Sequence, residues 1–426
     1  MNQYNVNLFD LPNEILLIIL KKLDNMDVLY SLFDLNNEQL DKIIQENTFT
    51  NNLNFVLITL TDDVLSISDS IIDRFYKNIL PKIHYNVKSL VLNSLSMERI
   101  LFAADYPNLN KLKIFNFNDK IVLRYFTDRL TTITSSPEEM IRLNNLPDLK
   151  CFYLQYDCFS DTYYNHILPL LRHMPNIEQL NLRLIIANQT TFINGKHIYD
   201  EIIVHMSRLH IFNFCFCTCM RLYQPIDHLS IDDILKAFSN NIYQQVDCMI
   251  RYRDTDIKYH AFSLPFMFDY LPFIDNKFSN IIFNHVIRLE VDDGISFEHE
   301  FFMRISLSFP LLKLLHIINL KRQTSISSNL SSNDNQLYST IIEFPYLTSL
   351  NLLFAHYDYV DQFLNDKKTR LPCLTKLAVN YDKLITVTKE FTNERTRLNC
   401  MKVKQLNIRP HRNIDSEDFH IYFPLL

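Results

Sequence analysis

Three cysteines at alternate positions, Cys215, Cys217 and Cys219, are the most metal-like group in the sequence. If this segment is a strand, its alternation places all three thiols on one face. Thiolates arranged in this way could bind a soft metal ion or carry out redox chemistry. Zinc sites, however, usually add a second Cys or His pair at ligand spacing, and none follows here. The pattern therefore favours ordinary structural cysteines, and we expect no metal and no other cofactor.

The remaining polar clusters do not form a catalytic motif either. Segment 290–294 (Glu-Val-Asp-Asp-Gly) contains three acidic residues, but it lacks EF-type spacing, and Asp-Gly after a strand is typical of a turn. The 14 histidines are scattered, and none lies in a His-Glu-x-x-His helix. The only two glycines, Gly195 and Gly294, cannot build phosphate-binding loops or nucleophile elbows. We therefore expect that the protein is not an enzyme.

The negative charge is concentrated at the start of the chain. The formal net charge is −6, and residues 1–50, with eight acidic residues and three lysines, account for −5 of it. The nearly neutral remainder offers no general electrostatic attraction to nucleic acid or to an anionic membrane, so we expect neither as a partner. The acidic first segment is predicted to be a separate module.

The sequence indicates an intracellular protein. The N-terminus lacks the basic start and the apolar core of a signal peptide, and no segment approaches 18 uninterrupted apolar residues. The eight cysteines are not spaced as a disulfide framework. We expect free thiols in a reducing compartment, either the cytoplasm or the nucleus.

Three short helices are predicted within residues 1–50. Pro12 suits the first position of a helix that contains the apolar run 15–20. Asp27 is a suitable cap for a second helix, and one of the asparagines at 36–37 for a third. Six consecutive apolar residues cover the whole circumference of the first helix, so a single buried stripe cannot account for them. Either the rest of the chain or a partner protein must cover part of this surface.

This segment resembles the F-box, the three-helix module that binds the Skp-type adaptor of cullin–RING ubiquitin ligases. The resemblance rests on Leu11-Pro12-x-Glu14-Ile15-Leu16-x-x-Ile19-x-x-x-Leu23-x-x-x-Asp27-Val28-Leu29 and is most specific through the first two helices. It implies adaptor-facing and core positions at Leu11, Pro12, Ile15, Leu16, Ile19, Leu20, Leu23, Val28, Leu29 and Leu32. The alternative is a set of helices that only cap the rest of the chain.

A short pattern, apolar-x-x-apolar-x-apolar, recurs after residue 85. Its copies start at Val87, Leu109, Leu149, Ile177, Leu209, Val286, Leu312, Leu347, Leu374 and Val403. Six copies have a proline two residues upstream with an apolar residue before it, where chance predicts about 1.5 copies with the proline and fewer with the apolar residue as well. The residue before proline leaves the helical region, and the alternation that follows suits a strand. The predicted unit is therefore helix, proline turn, strand.

The units resemble degenerate leucine-rich repeats, of which Leu347-Thr348-Ser349-Leu350-Asn351-Leu352 is one example. The resemblance implies an α/β fold, in which a three-helix F-box is followed by an irregular leucine-rich-repeat solenoid, or horseshoe. The predicted domains are an F-box-like helical module at 1–50, a connecting or capping segment at 51–84 and the solenoid at 85–426. The gap between the copies at Leu209 and Val286 is expected to hold poorly matched copies or an insertion.

Two further segments carry expectations. Lys321–Gln336 is rich in serine and asparagine, and we expect a flexible surface insertion there. Phe423-Pro424-Leu425-Leu426 repeats the opener Phe309-Pro310-Leu311-Leu312. That repetition suggests either a truncated product or a half-unit that serves as a cap.

In leucine-rich repeats, the non-core strand positions face the concave side. Here they are polar and rich in amides, which suits a surface that recognises a target protein. They are Lys111, Lys113, Tyr153, Gln179, Asn181, Arg183, Asn213, Arg288, Glu290, His316, Asn351, Lys376, Asn407 and Arg409. Tyr153, Arg183 and Arg288 are the expected hot spots, because Tyr and Arg dominate interface energies. The alternative for each position is a solvated sheet face without a ligand.

Together, the two resemblances imply a substrate-recognition adaptor of a cullin–RING (SCF-type) ubiquitin ligase. The F-box would bind the Skp-type adaptor, and the repeats would bind a protein destined for ubiquitin-dependent degradation. The alternative is a leucine-rich-repeat scaffold that binds proteins and has no ubiquitin-ligase role.

Overall fold

The computed structural model describes residues 11–35, 37–58, 64–116, 148–172, 174–221, 235–236, 238, 245–252, 256–324, 340–410 and 416–426. This part of the chain is a mixed α/β protein with parallel sheets, as expected for the fold class. It divides into two compact units. The first unit contains the described residues through Met220 with Lys236 and Phe238, and the second contains Arg221, Leu235 and the described residues from Gln245 onward.

Four helices begin the first unit: α1 (Asn13–Leu20), α2 (Asn25–Leu32), α3 (Glu38–Ile44) and α4 (Asn47–Thr50). Asn37 caps α3 as predicted, because its side chain accepts hydrogen bonds from two N–H groups of the first turn. The cap predicted for α2, Asp27, is wrong. Asp24 caps this helix instead, since its carboxylate accepts from the Met26 N–H at 2.8 Å. Asp27 lies in the first turn, where a negative charge also suits the helix dipole.

The first unit contains a parallel sheet in the order β1-β4-β5-β6-β7-β8. Its strands are β1 (Asn52–Asn54), β4 (Ser89–Asn93), β5 (Lys111–Phe115), β6 (Cys151–Phe159), β7 (Gln179–Gln189) and β8 (Ile211–Arg221), while β2 (Val56–Ile58) and β3 (Val64–Ser66) form a separate antiparallel pair. The helices of this unit include Asp69–Arg74, Leu80–Ile83, Ser94–Ala103, Leu168–Arg172 and Gly195–Glu201. Leu90, Leu112, Phe152 and Leu180 lie opposite one another in register and are fully buried. This row is the core between the sheet and its helices.

The second unit begins with an antiparallel pair, β9 (Val246–Tyr252) and β10 (Asp256–Ser263). A parallel sheet follows, made of β11 (Tyr270–Ile274), β12 (Arg288–Asp292), β13 (Leu314–Asn319), β15 (Ser349–Ala355), β17 (Lys376–Asn380) and β18 (Gln405–Arg409) in that order. β14 (Ile342–Glu343) pairs with β16 (Thr369–Arg370). The helices are His299–Ser308, Tyr357–Leu364, Tyr381–Thr388, Glu394–Cys400 and Glu417–Tyr422. The gap in the repeat pattern thus holds both an insertion, β9 and β10, and one further parallel strand, β11.

Proline forms the turn that leads into the strands. Every copy of the apolar pattern overlaps a strand. The strand begins at the third residue of the copy, as at Ser89 in the copy that starts at Val87. Five of the six predicted proline turns lie in the described part, and each has the same hydrogen bond, such as Leu312 N–H to the Phe309 carbonyl at 3.2 Å. Proline presets the backbone at the second position of such a turn and has no N–H to satisfy. The sixth turn, at Pro147, and most of the insertion predicted at 321–336 lie outside the described residues.

One hydrogen-bond arrangement recurs where the parallel strands begin. The carbonyl just before one strand accepts from two consecutive N–H groups at the entry of the next strand. The Lys313 carbonyl, for example, accepts from Thr348 and Ser349 at 2.9 and 3.0 Å. The same arrangement occurs at the carbonyls of Asn51, Lys88, Asn110, Lys150, Glu178, Asp269, Ile287, Thr348 and Thr375. It aligns the entries of neighbouring strands, so equivalent repeat positions fall into rows there, although the register shifts further along in the pairs β7–β8, β11–β12 and β13–β15.

Candidate interaction surfaces

The apolar residues of α1 are divided between the core and solvent. Leu16 and Leu20 are each 2% exposed, and α1 contacts α3. Ile15, Ile18 and Ile19 are 44%, 55% and 38% exposed. The helix is therefore anchored through one side and presents isoleucines to solvent on another.

The positions implied by the F-box resemblance differ in how far they are buried. They are exposed at Pro12, Ile15, Ile19 and Leu23, half-buried at Leu11 and Leu32, and buried at Leu16, Leu20, Val28 and Leu29. We call Ile15, Ile18, Ile19 and Leu23 the α1 patch. The sequence reasoning missed Ile18 and the exposed Leu35 as surface positions. Ile18 lies inside the apolar run, so composition could have flagged it, but only the packing of α1 shows which side faces outward.

The helices after α1 are fixed to the rest of the first unit. The Arg74 guanidinium donates to the Phe33 carbonyl at 3.0 Å and lies 5.3 Å from the centre of the Tyr30 ring. The Asn86 side chain donates to the Gln45 carbonyl at 2.9 Å. These contacts hold α2 and α3 in place while the α1 patch stays in solvent.

The predicted target-binding residues of the first unit lie in adjoining rows of its sheet. Lys113, Tyr153, Asn181 and Asn213 are opposite one another on β5, β6, β7 and β8. The Lys113 ammonium lies 4.0 Å from the centre of the Tyr153 ring. The Asn213 side chain donates to Asn181 Oδ1 at 2.8 Å. This row is therefore partly cross-linked by its own cation–π contact and amide hydrogen bond.

The neighbouring rows hold the other predicted residues of this unit. Lys111 and Gln179 share the row before, and Arg183 lies in the row after, beside Gln155. The Arg183 side chain is 3% exposed and lies 3.8 Å from Asp157 Oδ1. A buried guanidinium offers a partner little surface, so Arg183 supports the sheet although the sequence marks it as a hot spot. The other predicted hot spot of this unit, Tyr153, is half-buried. Gln155 and Asp157 were missed, although both follow the alternation of β6.

The three alternate cysteines lie on β8. Cys217 Sγ is 3.9 Å from Cys219 Sγ, as expected for two thiols on one strand face. Burial raises the pKa of the Cys215 thiol to about 12, and the nearby positive charge of Arg183 opposes that shift only in part. Within the described ranges, no group of three His, Cys, Asp or Glu side chains could hold a metal ion. All eight cysteines lie in described segments, and none forms a disulfide.

The predicted target-binding residues of the second unit also form rows. Glu290, His316, Asn351 and Asn407 share one row across β12, β13, β15 and β18. Glu290 Oε2 accepts from the Tyr270 hydroxyl at 3.3 Å and lies 3.5 Å from His316 Nδ1. Glu290 thus ties together side chains from three neighbouring strands.

Arg288 and Lys376 lie in the row before, and Arg409 lies at the end of β18. The Arg288 side chain is 1% exposed, lies 3.4 Å from Asp269 Oδ1 and is 5.0 Å from the centre of the Tyr270 ring. Like Arg183, it supports the sheet and offers a partner almost no surface, although the sequence marks it as a hot spot. Lys376 is half-buried and Arg409 is exposed.

Segment 290–294 ends in the predicted turn. Asp293 accepts from the Ile295 N–H at 3.1 Å and from the Asn276 N–H at 3.0 Å. Asp275 lies in the same region, and burial raises its pKa from 3.8 to about 6. A hydrogen bond from the Lys277 N–H at 2.8 Å opposes this shift. The negative charge of Asp293 raises the pKa of Asp275 further.

We expect Asp275→Asn to stabilise the protein at neutral pH. The pKa of this carboxyl rises from 3.8 to about 6 on folding, so the folded state holds the proton more tightly than the unfolded state. Stability therefore falls as the pH rises from about 4 to about 6, and the loss at pH 7 is on the order of 1–3 kcal/mol. Asparagine keeps the acceptor for the Lys277 N–H and removes this loss. Thermal unfolding should show a stabilised variant at pH 7 and no difference near pH 3.5, whereas an equal difference at both pH values would contradict the assignment.

No model of a known protein family matches the chain, and no curated protein sequence matches it. In the described segments, no helix is both long enough and apolar enough to cross a membrane.

Proposed function

We propose that this protein is a substrate-recognition adaptor of a cullin–RING (SCF-type) ubiquitin ligase. The α1 patch would bind a Skp-type adaptor, and the polar sheet faces would bind a target protein. The observation that carries the proposal is the exposure of Ile15, Ile18 and Ile19 on a helix anchored by Leu16 and Leu20.

The α1 patch has the properties of a protein-binding site. Ile15, Ile18 and Ile19 are spaced i, i+3, i+4, so their side chains lie on one side of α1. Each square ångström of apolar surface that a partner removes from water contributes about 25 cal/mol. A helix with anchors at this spacing can insert them into a hydrophobic groove of its partner. Because Leu16 and Leu20 already hold α1 in place, binding does not need to order the helix first.

The target would contact the polar sheet faces. Tyr153 and Gln179 in the first unit and Asn407 in the second are half-buried, and Arg409 is exposed; all four are strand residues with hydrogen-bonding side chains. The protein itself would form or break no covalent bond. It would hold the target near the ubiquitin-conjugating enzyme, and this proximity would accelerate transfer.

Assembly with purified ligase components tests this proposal. We expect the full chain, a Skp-type adaptor and the N-terminal part of a cullin to elute as one complex in size-exclusion chromatography. The chain and the cullin alone should elute separately, because the adaptor links them. If the chain elutes apart from both components in every mixture, the ligase proposal is wrong.

The alternative is a leucine-rich-repeat scaffold without a ubiquitin-ligase role. The hydrogen bonds from Arg74 and Asn86 favour it, because they tie the C-terminal ends of α2 and α3 to the body of the first unit, as expected for a cap. A scaffold of this kind would bind neither the adaptor nor the cullin. The same chromatography therefore separates the two functions.

A further inference from the structure

The last strand of the second sheet, β18, has an open backbone edge. Its Gln405 N–H bonds to the Thr375 carbonyl, at the entry of β17. In a parallel pair, alternate residues bond to the same neighbour, so the N–H and carbonyl groups of Leu406 and Ile408 point away from β17. No described strand pairs with β18 on that side. An open edge is a template for a further strand.

The hydrogen-bond arrangement at the strand entries also stops at β18. In the preceding repeats, the carbonyl before each strand, such as that of Thr348 or Thr375, accepts from two N–H groups of the following strand. Lys404 is the equivalent residue before β18. Among the described residues, none donates a backbone hydrogen bond to the Lys404 carbonyl. Lys404 therefore presents an acceptor in the geometry that receives a strand elsewhere in the same sheet.

The rows of buried apolar side chains in this sheet end at β18, where the last side chains are only half-buried. One row contains Leu289, Leu315, Leu350 and Leu377, each at most 2% exposed. Further along, Val291 pairs with Ile317 and Leu352 pairs with Val379, and all four are at 0%. Leu406 and Ile408 continue these rows in register, but both are only half-buried. An added strand with apolar side chains would cover them as the inner strands cover their neighbours.

Basic side chains lie at both ends of β18. Lys402, Lys404 and Arg409 are all exposed, and no acidic residue occurs between positions 395 and 410, in a chain whose net charge is −6. A second copy of the chain would bring these like charges together. An acidic segment is complementary to them.

We propose that the edge of β18 binds an extended acidic segment of a partner protein as an additional parallel strand. The N–H groups of the segment would bond to the Lys404 carbonyl and to the outward carbonyls of β18. Its apolar side chains would cover Leu406 and Ile408, and its carboxylates would approach Lys404 and Arg409. This inference goes beyond the ligase proposal and does not depend on it, because it concerns the open backbone edge of β18, which shares only Arg409 with the proposed target surface.

A designed peptide tests the proposal. The probe is a capped, fluorescently labelled peptide of alternating valine and glutamate, titrated with the full chain by fluorescence anisotropy. We expect saturable binding, together with slower amide hydrogen exchange in segment 404–409. Lys404→Glu with Arg409→Glu should weaken binding by about tenfold or more. The matched control, Lys88→Glu with Arg208→Glu, makes the same change in net charge at exposed positions of the first unit and should change affinity by less than about twofold.

Several results would overturn the proposal. They are an absence of saturable binding, equal weakening by the control pair, or unchanged exchange in segment 404–409. A second peptide, in which proline replaces alternate valines, keeps the charge but cannot form the strand ladder. If this peptide binds equally well, the contact is only electrostatic and the proposal is wrong. It is also wrong if the free chain dimerises through segment 404–409, because the occupant would then be a second copy.

Discussion

If the ligase proposal is right, Ile15→Asp combined with Ile19→Asp will strongly weaken binding to a Skp-type adaptor while the protein remains folded. Both side chains belong to the α1 patch and are 44% and 38% exposed, so the new carboxylates can stay in water in the free protein. In the complex, they would have to enter an apolar interface. Loss of one central apolar anchor commonly costs about 2 kcal/mol, so the pair should weaken binding by on the order of 100-fold or more. Calorimetric titration measures the loss, and thermal unfolding confirms the fold.

A matched control separates this effect from a general effect of added charge. Leu95 and Val204 are 65% and 56% exposed and lie outside the helical module. Leu95→Asp with Val204→Asp should leave adaptor binding unchanged. Leu16→Asp is a poor test, because Leu16 is 2% exposed and a buried carboxylate would unfold the module. Wild-type affinity in the Ile15 and Ile19 double variant would show that the α1 patch is not the binding site.

Asp292→Ala will destabilise the second unit by about 3–5 kcal/mol. Asp292 Oδ2 lies 2.8 Å from an Arg251 guanidinium nitrogen, and the two side chains are 6% and 3% exposed. Removal of the carboxylate leaves a buried guanidinium without its counter-charge, and its desolvation is no longer offset. The midpoint of urea-induced unfolding should fall accordingly, without a change in the slope of the transition.

The double variant Arg251→Met with Asp292→Leu distinguishes an uncompensated charge from simple loss of packing. It removes both charges and keeps apolar volume, so its stability should be close to that of the wild type or higher. If the double variant loses as much stability as Asp292→Ala, the cost lies in packing and the buried ion pair is not its cause.

The sequence predicts the local order of elements well, because that information is local. Each of the ten copies of the apolar pattern marks a parallel strand, and proline marks the turn before several of them, as at Pro310 and Pro372. The residue that caps a helix is harder to predict than the helix itself. Asp24 and Asp27, which lie within one turn of each other, are chemically equivalent candidates for the cap of α2. Only the path of the chain decides which carboxylate reaches the Met26 N–H.

Tertiary features could not be predicted in this way. The division into two units depends on contacts between distant segments. The antiparallel pair β9 and β10 is local, but no copy of the apolar pattern marks its strands. The burial of Arg183 and Arg288 depends on neighbouring strands, since alternation alone places an arginine on the polar face without saying whether its guanidinium reaches solvent. In the same way, the apolar run of α1 indicates that some contact covers part of the helix. Which side of the helix stays exposed, and with it Ile18, depends on the burial of Leu16 and Leu20 in the folded protein.

The most direct test of the central claim is a calorimetric titration of the full chain with a Skp-type adaptor. If the α1 patch is the adaptor site of a ligase subunit, the titration should show one adaptor per chain and a Kd below about 1 µM. Burial of the patch should also give a negative heat-capacity change. Absence of binding at adaptor concentrations up to about 100 µM would contradict the ligase function and leave the scaffold as the better account.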